Sequence, residues 1–302
     1  MLAIVNFINK IRKKFLFLKI KNFFKRLWSV IYKSIFTFNL HGGIECAGYL
    51  SFSLLFAIFP FMIFFTIIIG YFGQTQIGIE LIEMLKFGLP DDIIKTLFPV
   101  IDNVIYAPKT GVLSIAMLSL IWSASSLVDD LRGIIDRAFR IKTKKSYFWI
   151  RLASICKFLV MTILIIVGIF ITIIFPKILV FLSEFMPMHY DSNNILIFLK
   201  PLLLNLFLFT FILSIYYITP SKQNKLKDVL WGGILTLVGW FFSLKILTFY
   251  LQKMAEFQVV YGSLTGIIAT LFFFYVMAII LIFGAEFNYN INHEFFNKNK
   301  LN

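Results

Sequence analysis

The sequence predicts an all-α fold: a polytopic membrane helical bundle of six transmembrane helices, with amphipathic helices lying at the membrane interface. Three observations predict it. Hydrophobic residues make up 60% of the 302 and charged residues only 15%, whereas average soluble domains carry about 25% charged residues. A soluble fold of this length could not hide so much apolar surface. Long uncharged stretches recur, from Cys46 to Ile79, Thr110 to Val128, Phe158 to Pro176, Pro201 to Ser221 and Phe257 to Ala285. Each holds an apolar segment near the ~20 residues that cross ~30 Å of hydrocarbon, and a sixth, Val229 to Tyr250, is interrupted only by Lys245. Finally, the lysines and arginines are concentrated in alternate connections, as positive residues retained on the cytoplasmic side are.

Residues 1–40 read as a basic, amphipathic cytoplasmic segment. Phe15, Leu18, Phe23, Leu27, Trp28 and Ile31 recur among lysines at roughly helical spacing, the pattern of a helix lying in the inner leaflet. An ordinary basic orienting tail is the plainer alternative. The segment is basic throughout and shows no cleavable signal peptide. Residues 41–290 are then a single six-span membrane domain, with spans at about 46–72, 111–128, 152–175, 198–218, 229–250 and 263–284. The connection at 78–106 repeats Ile82, Leu85, Leu89, Ile94, Leu97 and Ile101 at three- and four-residue intervals, which predicts extracytoplasmic amphipathic helices separated by Pro90. Residues 291–302 form a cytoplasmic tail. Connections expected outside hold only Lys86, Lys95, Lys109, Lys177 and Lys253, so both termini are expected on the cytoplasmic side of the membrane.

The net charge of +14 follows from this distribution. It points to anionic membrane lipids as partners and not to nucleic acid. Cys46 and Cys156 lie at the edges of spans without the pattern of a disulfide framework or zinc motif, and read as small packing residues. Within the spans, Pro60 frees a backbone carbonyl and kinks or weakens its turn. Gly262 with Gly266, and Gly239 with Ser243, have the small-xxx-small spacing that lets helices approach closely in lipid. Such pairs suit a homo-oligomer and packing within one chain equally well.

At these positions the chain resembles the YihY/BrkB membrane proteins, once labelled ribonuclease BN-like. The likeness rests on Ala47-Gly48-Tyr49-Leu50-Ser51-Phe52 leading to Phe59-Pro60, and on Trp122-Ser123-Ala124-Ser125-Ser126-Leu127 with Arg137-Ala138-Phe139. It continues through Pro220, Lys227-Asp228-Val229, Gly232, Tyr250-Leu251 and Tyr261-Gly262-Ser263 to the closing Gly284-Ala285-Glu286. It covers about residues 30–295. The run Phe272-Phe273-Phe274-Tyr275 departs from it, since many relatives are expected to carry a tryptophan there. The resemblance implies a six-span inner-membrane protein, linked in some relatives to virulence or envelope properties, without a settled biochemical activity.

Chemistry is sparse. His41, His189 and His293 are scattered, and no His/Asp cluster has metal-ligand spacing. There is no GxxxxGK[ST] phosphate loop and no GxSxG elbow. No metal and no cofactor is expected, and the ribonuclease label is third among the readings. A charged rim of Asp129, Arg132, Asp136, Arg137 and Arg140 closes span two, with Arg132–Asp136 and Asp136–Arg140 spaced as i,i+4 pairs. It reads either as a solvated helix end or as a cytoplasmic gate that binds headgroup phosphate. A polar path is assigned to Lys157, Glu286, Asn205, Ser123 and Ser126, because ionisable groups inside a bilayer are costly; the lysine can instead snorkel to the interface. Lys157 and Glu286 are expected to share one polar cleft. The favoured function is a transporter or translocator of an anionic envelope component or lipid; the alternative is a non-transporting scaffold of envelope machinery.

Overall fold

The computed structural model describes residues 22–72, 76, 112–143, 146–185, 192–222, 224–254 and 264–295. A helix over 22–40, α1, precedes six long helices: α2 (Gly43–Phe72), α3 (Val112–Ala138), α4 (Tyr147–Phe185), α5 (Ser192–Ile218), α6 (Leu226–Met254) and α7 (Leu264–Phe295). The fold is all-helical among the described residues. The interfacial helices expected at 78–106 and residues 1–21 lie outside them, as do Gly262 and the side chain of Pro60; the backbone of α2 is helical through that proline.

From α2 to α7, each helix packs against the next in the chain, and α7 returns to α2, closing a ring. Contacts between α7 and α3 cross it. Among the described residues, four helices are long and apolar enough to span a membrane, within Tyr147–Gly168, Pro201–Ile218, Leu226–Thr248 and Gly266–Phe295. Helices α2 and α3 lie where the other two spans are expected, but neither is among these four; α2 contributes the shorter apolar segment Gly43–Ile58. Large apolar side chains such as Ile163, Ile166, Leu202, Phe242 and Ile246 face outward, as helices apolar on every side require of their surroundings.

Several helices run past the expected spans, and the extensions build one polar end. Helix α3 continues to Ala138 and α7 to Phe295. At the turn from α1 into α2, His41 N donates to Thr37 O (3.0 Å) and Gly42 N to Asn39 O (3.1 Å). Gly42 has φ +64°, the left-handed conformation that ends helices and that glycine adopts without a Cβ clash. The buried face of α1, with Val30 and its neighbours, packs on Phe287 and Ile291 of α7. The opposite face exposes Phe24, Trp28, Tyr32, Phe36 and Leu40, a stripe at i,i+4 spacing. Tyr147, Phe148 and Trp149 are likewise exposed at the start of α4. Aromatics so placed mark the headgroup level of a bilayer.

The tightest seam joins α6 to α7. A Cβ on Gly232 would overlap the Gly284 carbonyl, and one on Gly284 the hydroxyls of Thr236 and Tyr216. Space freed by the two glycines is filled by hydrogen bonds. Tyr216 Oη lies 2.6 Å from Thr236 Oγ1 and donates to Leu281 O at 2.6 Å, while Gly232 N donates to Asn288 Oδ1 at 2.5 Å. Close approach therefore lies at Gly232 and Gly284, and also at Gly239, where a Cβ would come within 2.6 Å of Ile280. At Gly266, where the sequence suggested it, a Cβ would meet nothing within 4 Å.

Overpacking of this kind costs about 1–3 kcal/mol. Gly284→Val is expected to lower the thermal unfolding midpoint of the detergent-solubilised protein by several degrees. Gly266→Ala should leave it unchanged or raise it slightly, because alanine is the better helix former by about 1 kcal/mol.

Candidate functional site

Helix α3 is divided lengthwise. Leu120, Ala124, Val128, Leu131 and Ile135 are buried against the ring. Ser119, Ser123, Ser126, Asp130, Gly133 and Arg137 follow one another at separations of four and three residues, which places them on a single face. Ser119 and Arg137 are exposed and the four between them half-buried. Trp122 and Leu118, both more than half exposed, flank the stripe. Polar and ionisable groups facing lipid are costly, so a polar face on the outer side of the ring is the unusual feature of this structure.

Side chains from both neighbouring helices engage the stripe. From α2, Tyr49 Oη donates to Asp130 Oδ1 (3.0 Å) and Ser53 Oγ to Oδ2 (3.1 Å). From α4, Arg151 Nη2 donates to Ser126 Oγ (2.8 Å) and to Trp122 O (2.7 Å). The Arg151 guanidinium also lies 4.3 Å from the centre of the Trp122 ring, a cation–π contact. Arg151 is 9% exposed, and its Nε has no hydrogen-bond partner among the described residues. At the charged end the stripe opens into a cleft of about 490 Å³ between α2 and α3, lined by Glu45, Tyr49, Asp129, Asp130, Arg132 and Arg137 among others. On α2, Phe52 and Phe56 continue outward from Tyr49, exposed and stacked with ring centres 6.4 Å apart.

The rest of the charged rim is committed to holding the fold. Arg132 Nε bonds Asp129 at 2.8 Å, and Nη1 bonds Asp136 at 3.1 Å. Asp136, 5% exposed, accepts from Ser221 N (2.8 Å) and Ser221 Oγ (2.5 Å), which ties the α5–α6 connection to α3. The expected Arg132–Asp136 pair is thus present. The expected Asp136–Arg140 pair is not, because α3 ends at Ala138. Ile141 N reaches back to Asp136 O (2.8 Å) and Arg140 N to Arg137 O (3.2 Å), a Schellman closure. Arg140 occupies the left-handed position with φ +57°, where a non-glycine residue is strained.

Arg140 is turned instead towards Glu286. Nη1 lies 2.7 Å from Glu286 Oε2, its guanidinium stacks 4.0 Å from the Tyr289 ring centre, and it also donates to Ala138 O. Glu286, 1% exposed, takes His41 Nδ1 on its other oxygen at 2.5 Å. Beside it, Asn290 Nδ2 bonds Ser34 Oγ, Thr37 Oγ1 and Glu286 O. His41 joins this cluster without any signal in the sequence beyond its place next to Gly42.

The expected interior path is not assembled. Lys157 donates to the carbonyls of Thr219 (2.6 Å) and Pro220 (3.1 Å), whereas Glu286 engages His41 and Arg140, so the expected shared cleft is replaced by two separate ties. Asn205 stands half-exposed on α5. At the centre of the ring is a cavity of about 270 Å³ whose lining, including Leu50, Leu131, Met161, Ile215 and Met277, is apolar apart from Thr162. Of the expected path, Ser123 and Ser126 lie on the outer stripe of α3, not in the interior. Among the described residues there is no group of three or more His, Cys, Asp or Glu able to hold a metal ion.

Removing one member of a buried ion pair costs about 3–5 kcal/mol. Glu286→Leu is therefore expected to destabilise the protein strongly in thermal or denaturant unfolding. Arg140→Gly should be less damaging than Arg140→Ala by about 1 kcal/mol, since both lose the pair but only glycine relieves the left-handed backbone.

A family model described as virulence factor BrkB matches residues 35–302. A ribonuclease-like protein of Bacillus subtilis (strain 168), YfkH, is 23% identical over 257 residues, 85% of this chain and 93% of that protein. A UPF0761 membrane protein of Pseudoalteromonas atlantica is 25% identical over 263 residues, 85% of this chain and 83% of that one. A UPF0761 membrane protein of Prosthecochloris aestuarii is 33% identical over 86 residues, 28% of this chain and 20% of its own length. No solved structure matches the chain. With its apolar helices and a family match over most of its length, the chain is a membrane protein of the BrkB family.

Proposed function

We propose that the protein moves a phosphate-bearing lipid of the cell envelope between the leaflets of the bacterial inner membrane, with six spans and both termini in the cytoplasm. The observation that supports this reading is the outward polar stripe of α3. A lipid resists crossing because its headgroup must leave water for hydrocarbon, where each unsatisfied polar group costs several kcal/mol. Its acyl chains meet no such barrier. A polar face bordering the bilayer lets the headgroup travel along Arg137, Asp130, Ser126, Ser123 and Ser119 while the chains remain in lipid. An interior channel is unnecessary, which agrees with the apolar central cavity.

The charged cleft then serves as the cytoplasmic mouth. Exposed aromatics on α1 and at the start of α4 set its depth at the headgroup level. Ser126 Oγ donates to Trp122 O at 2.9 Å and accepts from Arg151 Nη2 at 2.8 Å, so the hydroxyl stays hydrogen-bonded on the stripe when no headgroup is beside it. A scaffold role requires no polar track, and this is what separates the two readings.

Reconstituted vesicles containing a fluorescent phospholipid should show transbilayer movement above protein-free vesicles. Ser119→Leu with Ser123→Leu, which makes the inner part of the stripe apolar while leaving the buried face of α3 and the Ser126–Arg151 bond in place, should slow it about tenfold, equivalent to ~1.4 kcal/mol of barrier. No movement above background, or movement indifferent to the double substitution, would remove the support for this function.

A further inference from the structure

The cleft at the head of the stripe differs from the basic rim that its arginines alone suggest. Its lining holds three carboxylates, Glu45, Asp129 and Asp130, facing two guanidiniums, Arg132 and Arg137. Asp129 and Arg132 neutralise one another at 2.8 Å, and Arg132 is further occupied by Asp136. The remaining groups are not paired in this way. Asp130 accepts hydrogen bonds from two neutral hydroxyls, those of Tyr49 and Ser53, which orient the carboxylate without cancelling its charge. Arg151 directs its own bonds to Ser126 and the Trp122 carbonyl. Glu45 is exposed in the first turn of α2 and forms no ion pair within 4.0 Å among the described residues. Among the described residues, the partners of Arg137 are the His41 carbonyl (3.2 Å) and Cys46 Sγ (3.5 Å), and no carboxylate pairs with it.

Among the described residues, the open cleft therefore presents one guanidinium and two carboxylates that form no ion pair within 4.0 Å. A headgroup carrying only negative charge would satisfy Arg137 and be repelled by Glu45 and Asp130. One carrying an ammonium beside its phosphate would satisfy both signs. Like-charge juxtaposition is the usual means by which a site rejects the wrong partner. Arg137 and Asp130 are seven residues apart on one face of α3, a rise of about 10 Å, and Glu45 enters at the level of Arg137 through its neighbour Cys46.

Resting on the lipid-translocation reading, we infer that the cleft between α2 and α3 selects zwitterionic aminophospholipids over anionic ones. Arg137 takes the phosphate, Glu45 receives the ammonium at the mouth, and Asp130 receives it further along the stripe. This replaces the expectation of an anionic substrate with a headgroup of mixed charge.

Binding can be separated from movement. Calorimetry of the purified protein in detergent with short-chain phosphatidylethanolamine should give about tenfold tighter binding than with phosphatidylglycerol of the same chains. Glu45→Gln with Asp130→Asn should abolish that difference, the double variant being checked for folding by its thermal midpoint. Equal binding of the two lipids by the unaltered protein, or a preference that survives the double substitution, would overturn the inference. So would free glycerophosphoethanolamine binding as tightly as the lipid, which would make the ligand a soluble solute. The same pair of lipids, labelled on an acyl chain so that the ammonium stays free, is then followed across vesicle bilayers. Selective binding without any movement would leave the headgroup assignment standing and remove the translocation reading alone.

Discussion

A carboxylate buried at the end of a membrane bundle must be compensated, and the architecture of the polar end follows from that demand on Glu286. Its two oxygens are claimed by His41, from the turn between α1 and α2, and by Arg140, from the residue that closes α3. Two segments distant in sequence are thereby fixed on α7. The demand also accounts for a conformation that would otherwise be costly. Arg140 sits in the left-handed region, and its ion pair with Glu286 and stacking on Tyr289 hold it there. Asp136 plays the parallel part for the α5–α6 connection through Ser221.

With Glu286 and Asp136 occupied in this way, the ring is closed at the polar end and apolar at its centre. Polar groups left over from fastening the helices lie on the outer side of α3 and in the cleft beside α2. The energetic sense of that arrangement is that hydrocarbon, not water, surrounds the bundle. An outward polar stripe is unfavourable in lipid unless something polar runs along it, and a headgroup whose chains never leave the bilayer fits that requirement.

The helical elements were legible in the sequence because the need to bury twenty-odd residues in lipid writes itself directly into composition. The six long helices fall where the uncharged stretches predict them. The extensions of α3 and α7 were less legible, since beyond the hydrocarbon a charged helix and a charged loop look alike in sequence. The Arg132–Asp136 pair was readable from local spacing, while the Arg140–Glu286 and His41–Glu286 pairs were not, because they join residues related only by the tertiary fold. Ser123 and Ser126 stand out in the sequence as polar residues within an apolar stretch, but only the fold says which way they face. Ser123 and Ser126 were therefore assigned to an interior path with Lys157 and Asn205, and the packing of Leu120, Ala124 and Val128 into the ring turns them outward.

The outward polar stripe is the central claim, and its exposure can be measured directly. Single cysteines would be placed at Ser119, Ser123 and Ser126, and at Ile163 on the lipid-facing side of α4, in a chain whose own Cys46 and Cys156 are replaced. Each would be spin-labelled in vesicles and tested for collision with a water-soluble and a lipid-soluble relaxation agent. The stripe positions should report both agents, and Ile163 the lipid-soluble one alone. Labels at Ser123 and Ser126 that behave like Ile163, or that neither agent reaches, would contradict the account.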